Sequence, residues 1–163
     1  MAMKKIRYLY CIIIAVAVAV LIIFFNKTAY LNLNFNFTLP KSAEIVEFQR
    51  RYFCDYTIKQ VLAKVEISKA DYNKFLKSVS GKYYQYTLED CYIDEQGDYW
   101  LPDVIDCEAD VGLEDSDIDV QGIKKICYRE QNNPISRHPN TKKIYVTEAD
   151  DKFIIYMYRQ FGH

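Results

Sequence analysis

The stretch YLYCIIIAVAVAVLIIFF, residues 8–25, contains eighteen residues without a charge. A helix of this length is about 27 Å long, close to the hydrocarbon thickness of a bilayer. Three basic residues precede it within the first seven positions, whereas one lysine, Lys27, follows it closely. Basic residues favour the cytoplasmic side of a membrane. The pattern therefore predicts a single-pass protein with a cytoplasmic basic stub over residues 1–7 and with residues 27–163 across the membrane.

A cleaved secretory signal is the main alternative to this anchor, and a buried core helix is a weaker one. The small residues Ala15, Ala17 and Ala19 lie inside the apolar run rather than at its end. A cleavage site after Ala29 would place Lys27 where signal peptides carry a small residue. The run thus favours an uncleaved anchor. We expect the protein in a bacterial inner membrane, with its C-terminal domain in the periplasm or at the cell exterior.

After a short linker over residues 26–30, residues 31–163 are predicted to form one α+β domain. Apolar residues alternate with asparagine and threonine from Leu31 to Leu39, which predicts a half-buried strand. Further on, apolar residues recur at helical spacing behind Ser68, and Gly81 is a natural stop. This spacing predicts one main helix over about residues 69–80.

The remaining apolar segments read as strands of a mixed or antiparallel sheet crossed by that helix. They cover residues 43–53, 57–67, 83–88, 123–128, 143–147 and 152–161. A connection of hairpin length joins the last two. Apolar residues occupy both parities of Ile154–Tyr158, which is typical of a central strand covered on both faces.

Charge is distributed unevenly along the chain. Eighteen of the 21 basic residues follow the apolar run, together with all 22 acidic ones, so the predicted exported part has an excess of acid. No Lys or Arg occurs between Lys82 and Lys124, and the acids of that window lie within residues 89–119. Nucleic acid is a poor partner for such a surface, because phosphate binding needs the opposite charge. We predict an acidic loop region, which is either a solvated loop or a surface that suits a basic protein or a hard cation such as calcium.

Four cysteines follow the apolar run, Cys54, Cys91, Cys107 and Cys127. An even number in an oxidising compartment predicts two disulfides, and we favour Cys91–Cys107 with Cys54–Cys127 among the three possible pairings. Buried thiols are the alternative. A zinc site is not expected, because no C-x-x-C pair occurs.

Motifs of catalysis are not evident, and the chain carries no signature that assigns it to a family. The triplet Asp115, Asp117, Asp119 is not an EF-hand, because Val120 and Ile126 stand where glycine and glutamate are required. We predict a non-enzymatic protein-binding domain, for example an immunity-type or inhibitor-type envelope protein, without cofactor or metal. A structural subunit of an envelope complex and a carboxylate-based hydrolase are the alternatives. The predicted contact residues are Tyr92, Asp94, Tyr99, Trp100, Asp115, Asp117 and Asp119.

Overall fold

The computed structural model describes residues 2–52, 58–93, 95, 99–101, 104–106, 122–131 and 140–161. Its helices and strands, numbered in chain order, are α1 (Ala2–Phe25), α2 (Lys27–Phe35), β1 (Glu44–Tyr52), β2 (Ile58–Ser68), α3 (Lys69–Val79), β3 (Tyr84–Tyr86), β4 (Tyr92–Ile93), β5 (Tyr99–Leu101), β6 (Val104–Asp106), β7 (Ile123–Gln131), β8 (Asn140–Glu148) and β9 (Lys152–Gln160).

The apolar run forms most of α1, and it packs against little of the folded chain. No residue of Tyr8–Phe25 is buried, and the helix is long and apolar enough to cross a membrane. A membrane anchor and a signal sequence both have this length and composition.

The strands form two sheets, and every pairing is antiparallel. The large sheet has six strands in the order β1-β2-β9-β8-β7-β3, and β4, β5 and β6 form a small one. A tight turn joins β8 to β9, in which Ala149 N donates to Lys152 O over 2.9 Å. The prediction of an α+β domain with an antiparallel sheet and a terminal hairpin is thus confirmed.

Apolar side chains cover both faces of the large sheet. Ile155 and Met157 of β9 belong to a core beneath α2 and α3. Tyr156 and Tyr158 belong to a second core on the opposite face. This alternation follows from the period of two along a strand. The prediction of a central strand covered on both faces is confirmed.

The predicted main helix is α3, and its apolar stripe packs on the sheet as expected. Phe75 and Val79 are fully buried, and the ring of Tyr72 stacks on Phe153 with centroids 3.9 Å apart. Ser68 precedes the helix without capping it through its side chain. Its hydroxyl instead donates to Ser42 Oγ over 3.2 Å, which ties the start of α3 to the segment before β1.

The strand predicted over residues 31–39 is wrong, because α2 occupies Lys27–Phe35. The predicted linker over residues 26–30 is likewise mostly the first turn of α2. Leu31 and Phe35, four residues apart, are fully buried, whereas Leu33 is 66% exposed. A helix places positions i and i+4 on one face, whereas a strand would have buried all three side chains together.

Asparagine side chains explain how this alternating sequence becomes a helix. Asn26 Oδ1 accepts a hydrogen bond from Ala29 N and caps the start of α2. Asn36 ends the helix in the left-handed conformation, at φ 56°. Asn32 Oδ1 accepts from Leu39 N and holds the chain that follows. The asparagines therefore bond to local backbone instead of lining the polar face of a strand.

The α2 helix crosses one end of the large sheet, which we call the anchor end because α1 joins the domain there. Arg50, near the end of β1, donates to Phe24 O in the last turn of α1. Its guanidinium lies 4.0 Å from the ring centroids of both Phe24 and Tyr30. The hairpin turn at residues 149–151 lies at the opposite end, which we call the far end.

Candidate functional site

The acidic segment, residues 89–119, leaves and rejoins the large sheet away from the anchor end. The chain leaves the sheet after Tyr86, which pairs with Ile126 in the middle of β7, and β3 runs towards the far end. It returns at Ile123, which pairs with Thr147 close to the turn between β8 and β9. Both ends of the segment therefore lie in the far half of the sheet.

Three of the predicted contact residues meet in the small sheet. Tyr92 of β4 is the cross-strand partner of Trp100 in β5, and Tyr99 pairs with Ile93. Trp100 also pairs with Asp106 of β6. Asp94, Asp115, Asp117 and Asp119 lie outside the described residues. The contact role of all seven residues stays a prediction.

Asp90, at the start of the acidic segment, is held by two hydrogen bonds from Thr87, three residues earlier. Its Oδ2 accepts hydrogen bonds from Thr87 N over 2.6 Å and from Thr87 Oγ1 over 2.9 Å. These bonds hold the pKa of the Asp90 carboxyl below its usual range. The carboxylate therefore fixes the turn that leads into the segment.

The predicted disulfides are not found, since Cys91 and Cys127 are thiols in the part of the chain that the structure describes. Cys127 is fully buried in the core beneath α2 and α3. Burial raises the pKa of this thiol to about 12. Cys91 packs against the core of the opposite face, and its Sγ donates to Thr87 O over 3.7 Å. Cys54 and Cys107 lie outside the described residues. Because it is buried and its pKa is raised, Cys127 acts as a small apolar core residue.

Three lysines at the far end of the large sheet and on α3 form ion pairs with carboxylates. Lys152 lies 2.7 Å from Glu66, and Lys69 lies 2.8 Å from Glu148, with each distance joining Nζ to a carboxylate oxygen. On α3, Lys74 pairs with Asp71 at 2.7 Å. The charges of these three lysines are therefore balanced locally.

The anchor end carries basic residues without such matching. Arg50, Arg159, Lys142 and Arg129 occupy one cross-strand line, with Val61 of β2 between Arg50 and Arg159. We call these four residues the basic row. Cross-strand partners share a face of the sheet, so the row lies on the face covered by α2. None of the four belongs to an ion pair within the described residues.

Two members of the basic row hold α2 and α1 in place. Arg159 Nη1 donates to Asn34 O over 3.0 Å and to Asn34 Oδ1, near the C-terminal end of α2. A cation suits this end of a helix, where carbonyls carry partial negative charge. Arg50 binds the last turn of α1 in the same way through Phe24 O.

Lys142 and Arg129, the other two members, have no such contact. Lys142 is 4% exposed, and neither side chain makes a hydrogen bond to any residue that the structure describes. Burial, reinforced by the charges of Arg159 and Arg129, lowers the pKa of Lys142 to about 8. The row therefore presents positive charge in a partly desolvated place.

The sequence prediction missed the basic row, although one signal for it exists. Arg159 follows Ile155 and Met157 at the same strand parity, and Lys142 precedes Ile144 and Val146 in the same manner. On each strand, a basic residue therefore stands at one end of the series of apolar residues and shares their face of the sheet. Recognising that these positions line up requires the register of four strands.

Comparison of the chain with protein-family models, with curated protein sequences and with solved structures finds no match. The class that the fold defines is an α+β domain with a six-stranded antiparallel sheet behind an apolar N-terminal helix.

Proposed function

We propose that this chain is a membrane-anchored, non-enzymatic binding domain on the outer side of a bacterial inner membrane. Its acidic segment and the aromatic residues of the small sheet contact a basic protein. An immunity-type or inhibitor-type envelope protein, which caps a partner outside the membrane, is one form of this function.

The observation that carries the proposal is the position of the two ends of the acidic segment. Both emerge from the far half of the large sheet, whereas α1 joins at the anchor end. A domain held by α1 would thus have both attachment points of the acidic segment away from the bilayer. Paired Tyr92 and Trp100 strengthen the proposal, since these residue types are enriched in interface cores.

The hydrogen bonds at the junction between α1 and the domain also support this function. Asn26 caps α2 directly after α1, and Arg50 binds the carbonyl of Phe24. A partner bound at the far end would thus be held at a fixed height above the membrane rather than on a flexible tether.

A matched pair of triple variants tests the proposal in detergent extracts after crosslinking in intact cells. The first replaces Asp115, Asp117 and Asp119 by Asn. The second, Glu44→Gln, Asp150→Asn and Asp151→Asn, removes the same charge at exposed sites outside the segment. We expect the first variant alone to lose a crosslinked partner. If both variants retain the partner, or both lose it equally, the acidic segment is not the contact.

A further inference from the structure

The basic row carries charge that the described chain does not balance. Lys142 is almost fully buried, and neither Lys142 nor Arg129 makes a hydrogen bond or ion pair with a described residue. Nε of Arg159 is also buried without a hydrogen-bond partner. Buried charges in proteins are normally paired, because desolvating a single charge is costly. The basic row could therefore accept an anion that no described residue supplies.

The geometry of Arg129, Lys142 and Arg159 suits a phosphate group. The three residues are consecutive cross-strand partners on β7, β8 and β9. Neighbouring strands lie about 4.8 Å apart, so all three side chains start within about 10 Å of one another. A phosphate offers several acceptor oxygens to such a set, and guanidinium groups match it with paired donors.

The place of the row in the molecule indicates where that phosphate comes from. Arg50 belongs to the same row and donates to Phe24 O, in the last turn of α1. With α1 in a bilayer, as proposed above, the row lies near the level of the lipid headgroups. Lys27, just past α1, lies 5.9 Å from the ring centroid of Phe48 and adds positive charge at this end.

A groove beside the row offers room for a headgroup. It has a volume of about 580 Å³ and is bordered by Asn36, Lys82, Tyr83, Arg129 and Glu130, among others. The one carboxylate among these five, Glu130, accepts a hydrogen bond from Tyr128 Oη over 2.9 Å. Lys82 and Arg129 thus leave the groove with a positive balance.

We propose that Arg129, Lys142 and Arg159 bind the phosphate of an anionic phospholipid headgroup from the leaflet that the domain faces. Complementing the helix dipole of α2 does not account for all three. Arg159 alone contacts a carbonyl of that helix, at Asn34. Bound lipid would fix the domain against the membrane at the anchor end, while the far end stays available to the partner.

Thermal unfolding of the full-length chain in a non-ionic detergent tests this site. The added ligands are dihexanoyl phosphatidylglycerol, dihexanoyl phosphatidylcholine and sodium phosphate, compared at equal ionic strength. A ligand that binds the folded state raises the unfolding temperature in proportion to its occupancy. We expect phosphatidylglycerol to raise the unfolding temperature of the wild type, with a weaker effect or none from the other two.

Three variants test whether the rise in unfolding temperature depends on the basic row. Lys142→Met and Arg129→Gln should each raise the half-saturating concentration of phosphatidylglycerol by about tenfold or more, because each loses a charged contact with the phosphate. Lys124→Met removes an exposed lysine from the same strand as Arg129 and should leave it unchanged. Removal of a buried charge without an ion pair is expected to stabilise the fold, so a lost response in a folded Lys142→Met variant would reflect lost binding.

Several outcomes would overturn the site. They are an absence of any rise with phosphatidylglycerol, an equal rise with phosphatidylcholine, and an equal loss in Lys124→Met. An equal rise with sodium phosphate would assign the row to a free anion and overturn the lipid source. None of these results bears on the acidic segment, whose crosslinking test is independent of the basic row.

Discussion

Lys142 shows how much a single side chain can cost the folded state. Its strand neighbours on both sides are Arg159 and Arg129, and its own side chain is nearly inaccessible to water. Burial and repulsion both favour the neutral amine. A residue that weakens the fold in this way is typical of a functional site, where stability is exchanged for binding.

Replacing Lys142 by Met should therefore stabilise the protein at pH 7. We expect the free energy of unfolding to rise by about 1–3 kcal/mol, because the folded state loses a largely desolvated positive charge that lies between two arginines. Lys124→Met, at an exposed position of β7, should change it by less than about 0.5 kcal/mol. Urea unfolding of the full-length chain in detergent, followed by circular dichroism, measures both. A destabilised Lys142→Met variant would mean that the ammonium group makes a stabilising contact.

The pKa of Lys142 also predicts how this gain depends on pH. The folded chain releases the proton near pH 8, whereas the unfolded chain keeps it to its ordinary value of 10.5. Between these values the unfolded state binds more protons, so the contribution of Lys142 to stability rises with pH. The advantage of Lys142→Met over the wild type should shrink from pH 8 to pH 10. Unfolding curves of the pair measure it, and an advantage that stays constant would contradict the lowered pKa.

Among the elements, those with strong periodicity were predictable and α2 was not. The stripe that includes Phe75 and Val79 indicates α3, apolar alternation indicates β2, and an apolar run at both parities indicates β9. In α2, Leu31, Leu33 and Phe35 alternate as in a strand, but Asn26 and Asn36 provide helix caps. Capping depends on local backbone geometry that periodicity does not report. The basic row was missed for another reason, because it can be recognised only when the register of the strands is known.

The burial of two leucines in α2 distinguishes the helix from the strand that the sequence predicts. Leu31 is fully buried and Leu33 is 66% exposed, although a strand would bury both on one face. Leu31→Ala should lower the free energy of unfolding by about 2–5 kcal/mol, as for other buried leucines. Leu33→Ala should change it by less than about 0.5 kcal/mol. Chemical denaturation of both variants measures the difference, and equal losses would favour the strand.

At the scale of the whole molecule, charge is divided between the two ends of the large sheet. The basic row lies at the anchor end, next to α1, and the ends of the acidic segment lie in the far half. Anionic lipids attract the first and repel the second. The same division would orient the domain on a membrane and keep the acidic segment open to a basic partner.

This orientation depends on α1 crossing the membrane with its N-terminus inside, and site-specific labelling tests that directly. Asp150→Cys lies in the exposed turn at the far end, and Lys4→Cys lies in the predicted cytoplasmic stub. Each is treated with a membrane-impermeant polyethylene-glycol maleimide in intact spheroplasts, with the wild type as the background for native cysteines. We predict an added mass on Asp150→Cys before lysis and on Lys4→Cys only after it. Labelling of Lys4→Cys in intact spheroplasts, with Asp150→Cys protected until lysis, would contradict the account.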